Sequence, residues 1–423
     1  MKEYQKYIFH LDELIKIHGR EDFLLKSDDL YHHLNGAASE ALFDHVSSQA
    51  IKESGAFFTG ELLGRRTVES AAKELNKLPA FDPACGAGDL LLRWAEYLPV
   101  QASLEDTIEH WGTLLYGFDL HPEFISATKR RLVLSAISRG AKRARKTFRV
   151  DSAFPNIKRD DFLAIHNCYS GPRTVMLNPP FNQQTPTQSV SWSKGKVSQA
   201  ALFFVKCLLE SKDSERIVAI LPDVLRSGAR YEKWRILVSE MFKPLRLESI
   251  GRFSASADVD VFIIDGLITK NKRNKIEWAQ SAKTNRATLD SICDIRVGTV
   301  VPHRDPQEGK SVRYFTAPDL PPWKTVTKAQ FRGVKSSTFM PPLVAVRRTS
   351  SPSDRDRPVA SIISGKSPVA LENHLIALRP LDGSIETCNQ ILGILRSPQT
   401  RINLDRDIRC RHLTVGSLKK IKI

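Results

Sequence analysis

The stretch Lys77-Leu78-Pro79-Ala80-Phe81-Asp82-Pro83-Ala84-Cys85-Gly86-Ala87-Gly88-Asp89 runs from a short apolar segment, through a glycine turn, into the helical pattern Asp89–Leu98. A strand over Lys77–Asp82 followed at once by a helix is the first half of a βαβ unit. The two glycines of the turn allow a sharp bend and let a ligand approach the backbone. The alternation continues downstream. Strand patterns at Leu114–Asp119, Thr174–Leu177 and Arg216–Leu221 are followed by helix patterns at Pro122–Ser138, Gln199–Ser211 and Ala229–Phe242. This spacing predicts an α/β domain with a mainly parallel sheet covered by helices on both faces. Leu247–Gly251 and Val259–Thr269 have no helix between them, which predicts an antiparallel hairpin at the end of the series.

Upstream of the quoted stretch, Tyr4, Ile8, Leu11, Leu14 and Ile15 recur at helical spacing, and Ala37–Ile51 forms a second amphipathic stretch. Thr59 precedes the helical pattern Glu61–Leu78 and is its expected N-cap. Downstream, Lys270–Lys275 reads as a polar, basic linker. Proline clusters and short β-branched runs beyond it predict a β-rich α+β domain with one helix near Asn389–Leu395. The expected organisation is a helical segment over 1–54, an α/β domain over 55–285 and a third region over 286–423.

Composition narrows the function classes. The chain has 423 residues, 41% apolar and 26% charged, which excludes disordered and fibrous classes. No apolar run approaches the ~20 residues of a membrane helix, and the N-terminus lacks the apolar core of a signal peptide. The six cysteines are scattered without a CxxC pair, so no metal site is expected, and a reducing, cytoplasmic compartment is. Net charge is +16, and the region from Arg286 onward holds 23 basic against 12 acidic residues. That excess points to a polyanion such as nucleic acid, beside the plainer reading of solubility. Lys129–Arg149, with nine basic residues and no acidic one, reads equally as a solvated helix face or a phosphate track.

The glycine turn is neither GxxxxGK[ST] nor GxGxxG. With Asp82 and Asp89 on its flanks it would repel phosphate, and it suits a nucleoside bearing a cationic or zwitterionic group. Asp119, ending the next strand before Leu120, can accept from a ribose diol and can also cap the helix that follows. In Asp160-Asp161-Phe162-Leu163, Asp161 can accept from an exocyclic amine and Phe162 can cover a purine, although an ordinary surface turn fits the same residues. The most informative motif is Asn178-Pro179-Pro180-Phe181, directly after the strand Thr174–Leu177. The prolines fix the backbone and remove amide donors. Asn178 Oδ1 and the Pro179 carbonyl then offer two acceptors to one planar NH2, and Phe181 offers a stacking face.

With these motifs in this order, the sequence resembles the N6-adenine DNA methyltransferases of the class I, S-adenosylmethionine-dependent kind. It is most similar to the group whose cofactor motifs precede the catalytic motif and whose target-recognition region is C-terminal. The resemblance covers about residues 50–270 by motif and the rest by architecture. It implies a Rossmann-like sheet and S-adenosylmethionine as cofactor. It also implies roles. Thr59 would lie near the methionine end. Asp82, Pro83, Ala84, Cys85, Gly86 and Gly88 would line the cofactor, with Asp82 reaching its ammonium. Asp119 and Leu120 would meet the ribose, and Asp161 and Phe162 the adenine. Asn178 and Pro179 would accept from the target amine, with Pro180 fixing the turn and Phe181 stacking on the base. A second aromatic would be Phe253, with Phe262 in reserve. One departure stands out, because Gly60 occupies the position after Thr59 where the family usually has proline.

The implied reaction is transfer of the sulfonium methyl to N6 of an adenine flipped out of double-stranded DNA. Two acceptors on the amine would draw it toward sp3 character, so positioning and electrostatics suffice without a general base or a metal. Arg347, Arg348, Arg355 and Arg357 are the expected DNA contacts in a C-terminal target-recognition domain. His412 is expected to be structural. The resemblance further implies a prokaryotic, cytoplasmic enzyme without a membrane partner, with a cognate restriction endonuclease or another defence-system protein as its companion. The alternatives are an RNA-base or protein-glutamine methyltransferase, and a modification subunit needing a separate specificity partner.

Overall fold

The computed structural model describes all residues except 1–3, 19–27, 48, 50, 52–57, 145–148, 166–172, 188, 255–258, 271–273, 279–286, 350–357 and 408–412. The chain divides into two compact units, Met1–Arg226 with Arg230–Ile276, and Ser227–Ala229 with Glu277–Ile423.

The first unit is built on a seven-stranded sheet. Its strands are β1 (Ala80–Asp82), β2 (Leu115–Asp119), β3 (Ile157–Arg159), β4 (Thr174–Leu177), β7 (Arg216–Pro222), β8 (Phe242–Arg252) and β9 (Asp260–Ile268), and two short strands, β5 (Gln183–Gln184) and β6 (Val197–Ser198), pair outside it. The order across the sheet is β3-β2-β1-β4-β7-β9-β8. β1, β2, β3, β4 and β7 run parallel, whereas β9 is antiparallel to both β7 and β8. The expected hairpin is therefore present. Every residue of β4 and β7 is buried, which is why these strands read as unbroken apolar runs. Arg216 is the exception in β7. Its guanidinium grips Asp265 of β9 with two bonds of 2.8 and 2.9 Å, so the buried charge is matched.

The helix Pro122–Ser138 begins with proline at its first turn, where the missing N–H costs nothing. It packs against the N-terminal helix Gln5–His18 in a shared apolar core that includes Tyr4, Leu11, Phe124 and Leu132. The basic stretch Lys129–Arg149 is neither a solvated face nor a phosphate track over its described helix. Arg130 pairs with Asp12 and Asp151, Arg131 with Asp89, and Arg139 donates to the carbonyls of Ala95 and Leu98. These are buried or half-buried structural cations whose acidic or carbonyl partners lie far away in sequence. Among the described residues, no helix is long and apolar enough to cross a membrane.

The second unit is β-rich. One sheet has the order β10 (Cys293–Val297), β17 (Leu375–Pro380), β14 (Leu343–Arg347), β15 (Ala360–Ile363), β12 (Thr325–Val326); another has β13 (Gln330–Val334), β11 (Lys310–Phe315), β16 (Val369–Leu371). In β14, Val344 and Val346 enter one core with the helix Ile385–Arg396, and Leu343 and Ala345 enter another, as alternate residues of a strand must. The predicted helix is longer than Asn389–Leu395, and the helices Pro398–Asp407 and Val415–Lys419 follow it.

Candidate active site

Strand order reverses between β1 and β4, and a parallel sheet binds ligands at the carboxyl ends of its strands beside such a switch point. A cleft of about 1000 Å³ opens there. Asp82 ends β1, Asp119 ends β2 and Asn178 follows β4, and all three line it.

Asp82 is 2% exposed. Its Oδ1 accepts from the Ala84 N–H at 3.1 Å. Burial pushes its carboxyl up to about 8 against that hydrogen bond, and the nearby charges of Asp119 and Asp89 add to the rise. No cation pairs with it among the described residues. Burial also raises the Asp119 carboxyl, opposed by the amides it accepts from, His121 N–H at 2.8 Å and Gly86 N–H at 3.1 Å. The bond from Gly86 ties the end of β2 to the glycine turn. The Thr128 hydroxyl ties the same turn to the helix behind it by donating to the Gly86 carbonyl at 2.8 Å.

Gly88 shows why the turn needs glycine. Its φ is +87°, and a Cβ there would lie 2.6 Å from Thr128 Cγ2. Gly88→Ala is expected to cost roughly 1–3 kcal/mol and lower the melting temperature by a few degrees. An unchanged thermal melt would show that the turn does not depend on this geometry.

Asp161 and Phe162 line the cleft beyond Asp119. Phe162 is 2% exposed and packs on Phe81 and Phe203. Lys206 holds this turn by donating to the carbonyls of Leu163 and Ile165 while lying over the Phe162 ring. Asn178 Nδ2 donates to Thr59 Oγ1 at 2.8 Å. Pro180 lines the cleft, and Pro179 is buried. Phe181 and Phe253 pair edge to face with centroids 5.6 Å apart, so the two expected aromatics are neighbours. Phe262 is fully buried in the sheet.

Thr59 is not the N-cap of the next helix. Gly60 takes that place, without a side-chain cap, and the Thr59 hydroxyl is engaged by Asn178 instead. Two further lining residues, Lys206 and Trp192, carry no motif, and Arg131 carries none either but bonds to Asp89 at the edge of the glycine turn. Trp192 lines the cleft from the polar loop between β5 and β6. That loop is clasped by Arg230, which donates to the carbonyls of Lys194 and Lys196, and by Tyr231, whose hydroxyl accepts from Ser198 N–H. A lone tryptophan in a polar loop was the available signal.

In the second unit, Arg347 donates to the Leu320 carbonyl at 2.8 Å and Arg348 to the Asn373 carbonyl at 3.4 Å. Both thus make structural hydrogen bonds to the backbone. Arg355, Arg357 and His412 lie outside the described residues. Among the described residues, no group of His, Cys, Asp or Glu could hold a metal ion.

The sequence model of the family described as N-6 DNA Methylase matches residues 30–238, a span that includes the glycine turn, Asp119 and the Asn178–Phe181 motif. The match spans just under half of the chain, and over it the chain is similar to the N-6 DNA Methylase family. No curated protein matches its sequence. Among solved structures it is similar to a cryo-electron-microscopy structure of a DrdV–DNA complex, at 11% identity and TM-score 0.52, over 91% of this chain and 57% of that one. It is also similar to the type IIL restriction-modification enzyme MmeI in complex with DNA, at 14% identity and TM-score 0.47, over 98% and 66%. A third is a modification subunit of a putative type I restriction enzyme from Vibrio vulnificus YJ016, at 16% identity and TM-score 0.43, over 58% and 51%. The chain thus spans about half to two thirds of the length of these structures. The seven-stranded sheet with its switch-point cleft agrees with the class I methyltransferase fold, and the family whose model matches residues 30–238 implies S-adenosylmethionine as cofactor. The residues present fit it. A buried carboxyl without a cation among the described residues suits an ammonium, and a half-buried carboxyl at the end of β2 suits a diol.

Proposed function

We infer that the chain is a site-specific DNA methyltransferase acting on N6 of an adenine flipped out of double-stranded DNA. The observation that carries this reading is the Asn178 amide at the end of β4, tied by Thr59 and standing in the same cleft as Asp82 and Asp119. Bound S-adenosylmethionine supplies a methyl group already activated by its sulfonium. The chain's residues do the rest by positioning. Asp82 holds a cationic group and Asp119 a ribose diol. Asn178 Oδ1 and the Pro179 carbonyl accept the two amine hydrogens and turn the nitrogen lone pair toward the methyl. Phe181 and Phe253 offer faces to the extruded base. The basic C-terminal region, with its net excess of Lys and Arg, serves as the DNA-recognition domain, and Arg355 and Arg357 remain its candidate contacts. A prokaryotic cytoplasmic setting and a cognate endonuclease or other defence protein accord with this reading.

The test is single-molecule modification sequencing of DNA from a methylation-free bacterial host expressing this chain alone. N6-methyladenine at one recurring short motif is the expected result. Unmodified DNA, with folded protein that binds S-adenosylmethionine, would transfer the reading to an RNA substrate or to a subunit that needs a partner.

A further inference from the structure

A side-chain amide has a donor end and an acceptor end of nearly the same shape. Packing alone cannot tell them apart. If Asn178 presented its NH2 to the target NH2, donor would face donor and the lone pair would not be drawn out. The hydrogen-bond partner sets which end faces the target, and the Thr59 hydroxyl, which could serve either end, here accepts: Asn178 Nδ2 donates to Thr59 Oγ1 at 2.8 Å, across 119 positions of sequence.

Thr59 precedes its helix and gains no support from it, so something else must fix the chain at this point. Gly60 does so. Its φ is +71°, and its N–H donates to Asp89 Oδ2 at 2.7 Å. Proline could do neither, because its φ is fixed near −65° and it has no N–H. The glycine at the position where proline was expected therefore has a structural reason. Asp89 Oδ1 in turn accepts from Arg131 Nη1 at 2.8 Å. Arg131 is 1% exposed, and its remaining hydrogen bonds go to the carbonyls of Ala87, His33 and Leu34. Ala87 belongs to the glycine turn, and His33 and Leu34 lie in the last turn of the helix Asp28–Asn35, where a cation is favoured.

We propose that Thr59 is a positioning residue for Asn178, and that Asp89, gripped by Arg131, holds Thr59 in place through the Gly60 amide. The proposal rests on the methyl-transfer reading above. It gives the N-terminal helical segment a physical route to the reacting amide.

The test uses the full chain with tritiated S-adenosylmethionine and unmethylated bacterial genomic DNA, and calorimetry for cofactor binding. Thr59→Val should lower kcat by ~10–100-fold, the scale on which one preorganised polar group contributes, while leaving the cofactor Kd within ~3-fold. Thr59→Ser, which keeps the acceptor, should restore kcat to within ~3-fold of the parent. Asp89→Asn should act in the same direction, and the double variant should lose no more than Thr59→Val alone, as links in series do. A raised Kd at unchanged kcat, or fully additive losses, would overturn the proposal. One readout needs no nucleic acid. The Asn178 side-chain NH2 resonance, assigned by its loss in Asn178→Ala, should move in Thr59→Val and stay in Thr59→Ser. If the parent protein methylates no DNA, the reading as a self-contained DNA methyltransferase fails by itself. A moving resonance then still upholds the positioning role, and a stationary one overturns it.

Discussion

Replacing Asn178 by alanine is expected to reduce methyl transfer by about 10³-fold and to leave S-adenosylmethionine binding unchanged. The magnitude follows from what the amide does. It offers no nucleophile and no proton relay, so its contribution is the electrostatic and orientational one of a fixed acceptor in a water-poor cleft. Losing it leaves the Pro179 carbonyl as a single acceptor, which can orient the amine but cannot hold both hydrogens. Cofactor binding survives because the carboxylates assigned to the cofactor stand on other strands. Asp82 ends β1 and Asp119 ends β2, and neither is hydrogen-bonded to Asn178. Calorimetry with S-adenosylmethionine and single-turnover transfer to DNA separate the two effects. If the variant bound cofactor a hundredfold more weakly, or still transferred at the parent rate, the role assigned to Asn178 would be wrong.

The parts of this site that were legible in the sequence are those whose chemistry is local. The turn Asp82–Asp89 combines a strand end, two glycines and a helix start within eight positions, and Asn178–Phe181 combines an amide, two prolines and an aromatic that a generic turn does not need together. The helix Pro122–Ser138 was legible to the residue, because proline marks its start and the apolar period runs through it. The short strand Ile157–Arg159 has too few residues to show a period, and it exists because β2 offers it a parallel partner. The helix Leu104–Leu114 has a regular signal in its Ser103 cap, which accepts from the Asp106 N–H, but it stands where the βαβ alternation alone calls for no extra helix.

The misreadings have a common physical cause. Lys129–Arg149 looked like a surface because cations are rarely buried, yet Asp12 and Asp151 reach Arg130, and Asp89 reaches Arg131, from elsewhere in the chain. Thr59 looked like a cap because hydroxyls satisfy helix termini. Its hydroxyl had a partner 119 residues away that local patterning cannot register. Long-range polar pairing, not hydrophobic periodicity, is what the sequence hid.

Cofactor affinity is expected to rise about tenfold per pH unit up to pH 8 and then to flatten, with one proton released on binding at pH 7. The cause is Asp82. In the ligand-free fold burial lifts its carboxyl to about 8, so at neutral pH most molecules carry it protonated. Holding an ammonium requires the carboxylate, so binding must expel that proton, and the expulsion becomes easier as pH approaches 8. The same shift acts on folding with a determined sign. The folded-state value lies above the ordinary value of 3.8, so the folded chain holds a proton the unfolded chain has lost. The stability this gives is full below about pH 4, falls by roughly 1.4 kcal/mol per unit as pH rises, and levels off above 8. Asp82→Asn removes both dependences. Its fold should no longer lose stability through this window, and its cofactor affinity should fall by roughly 10²-fold at pH 8, because an ammonium would then meet an amide in place of a charge. Calorimetry in two buffers of different ionisation enthalpy counts the proton, and melts across pH 5–8 follow the stability. An Asp82→Asn protein that kept the parent's proton release would move the titrating group to Asp119, another carboxyl of the cleft that burial pushes up.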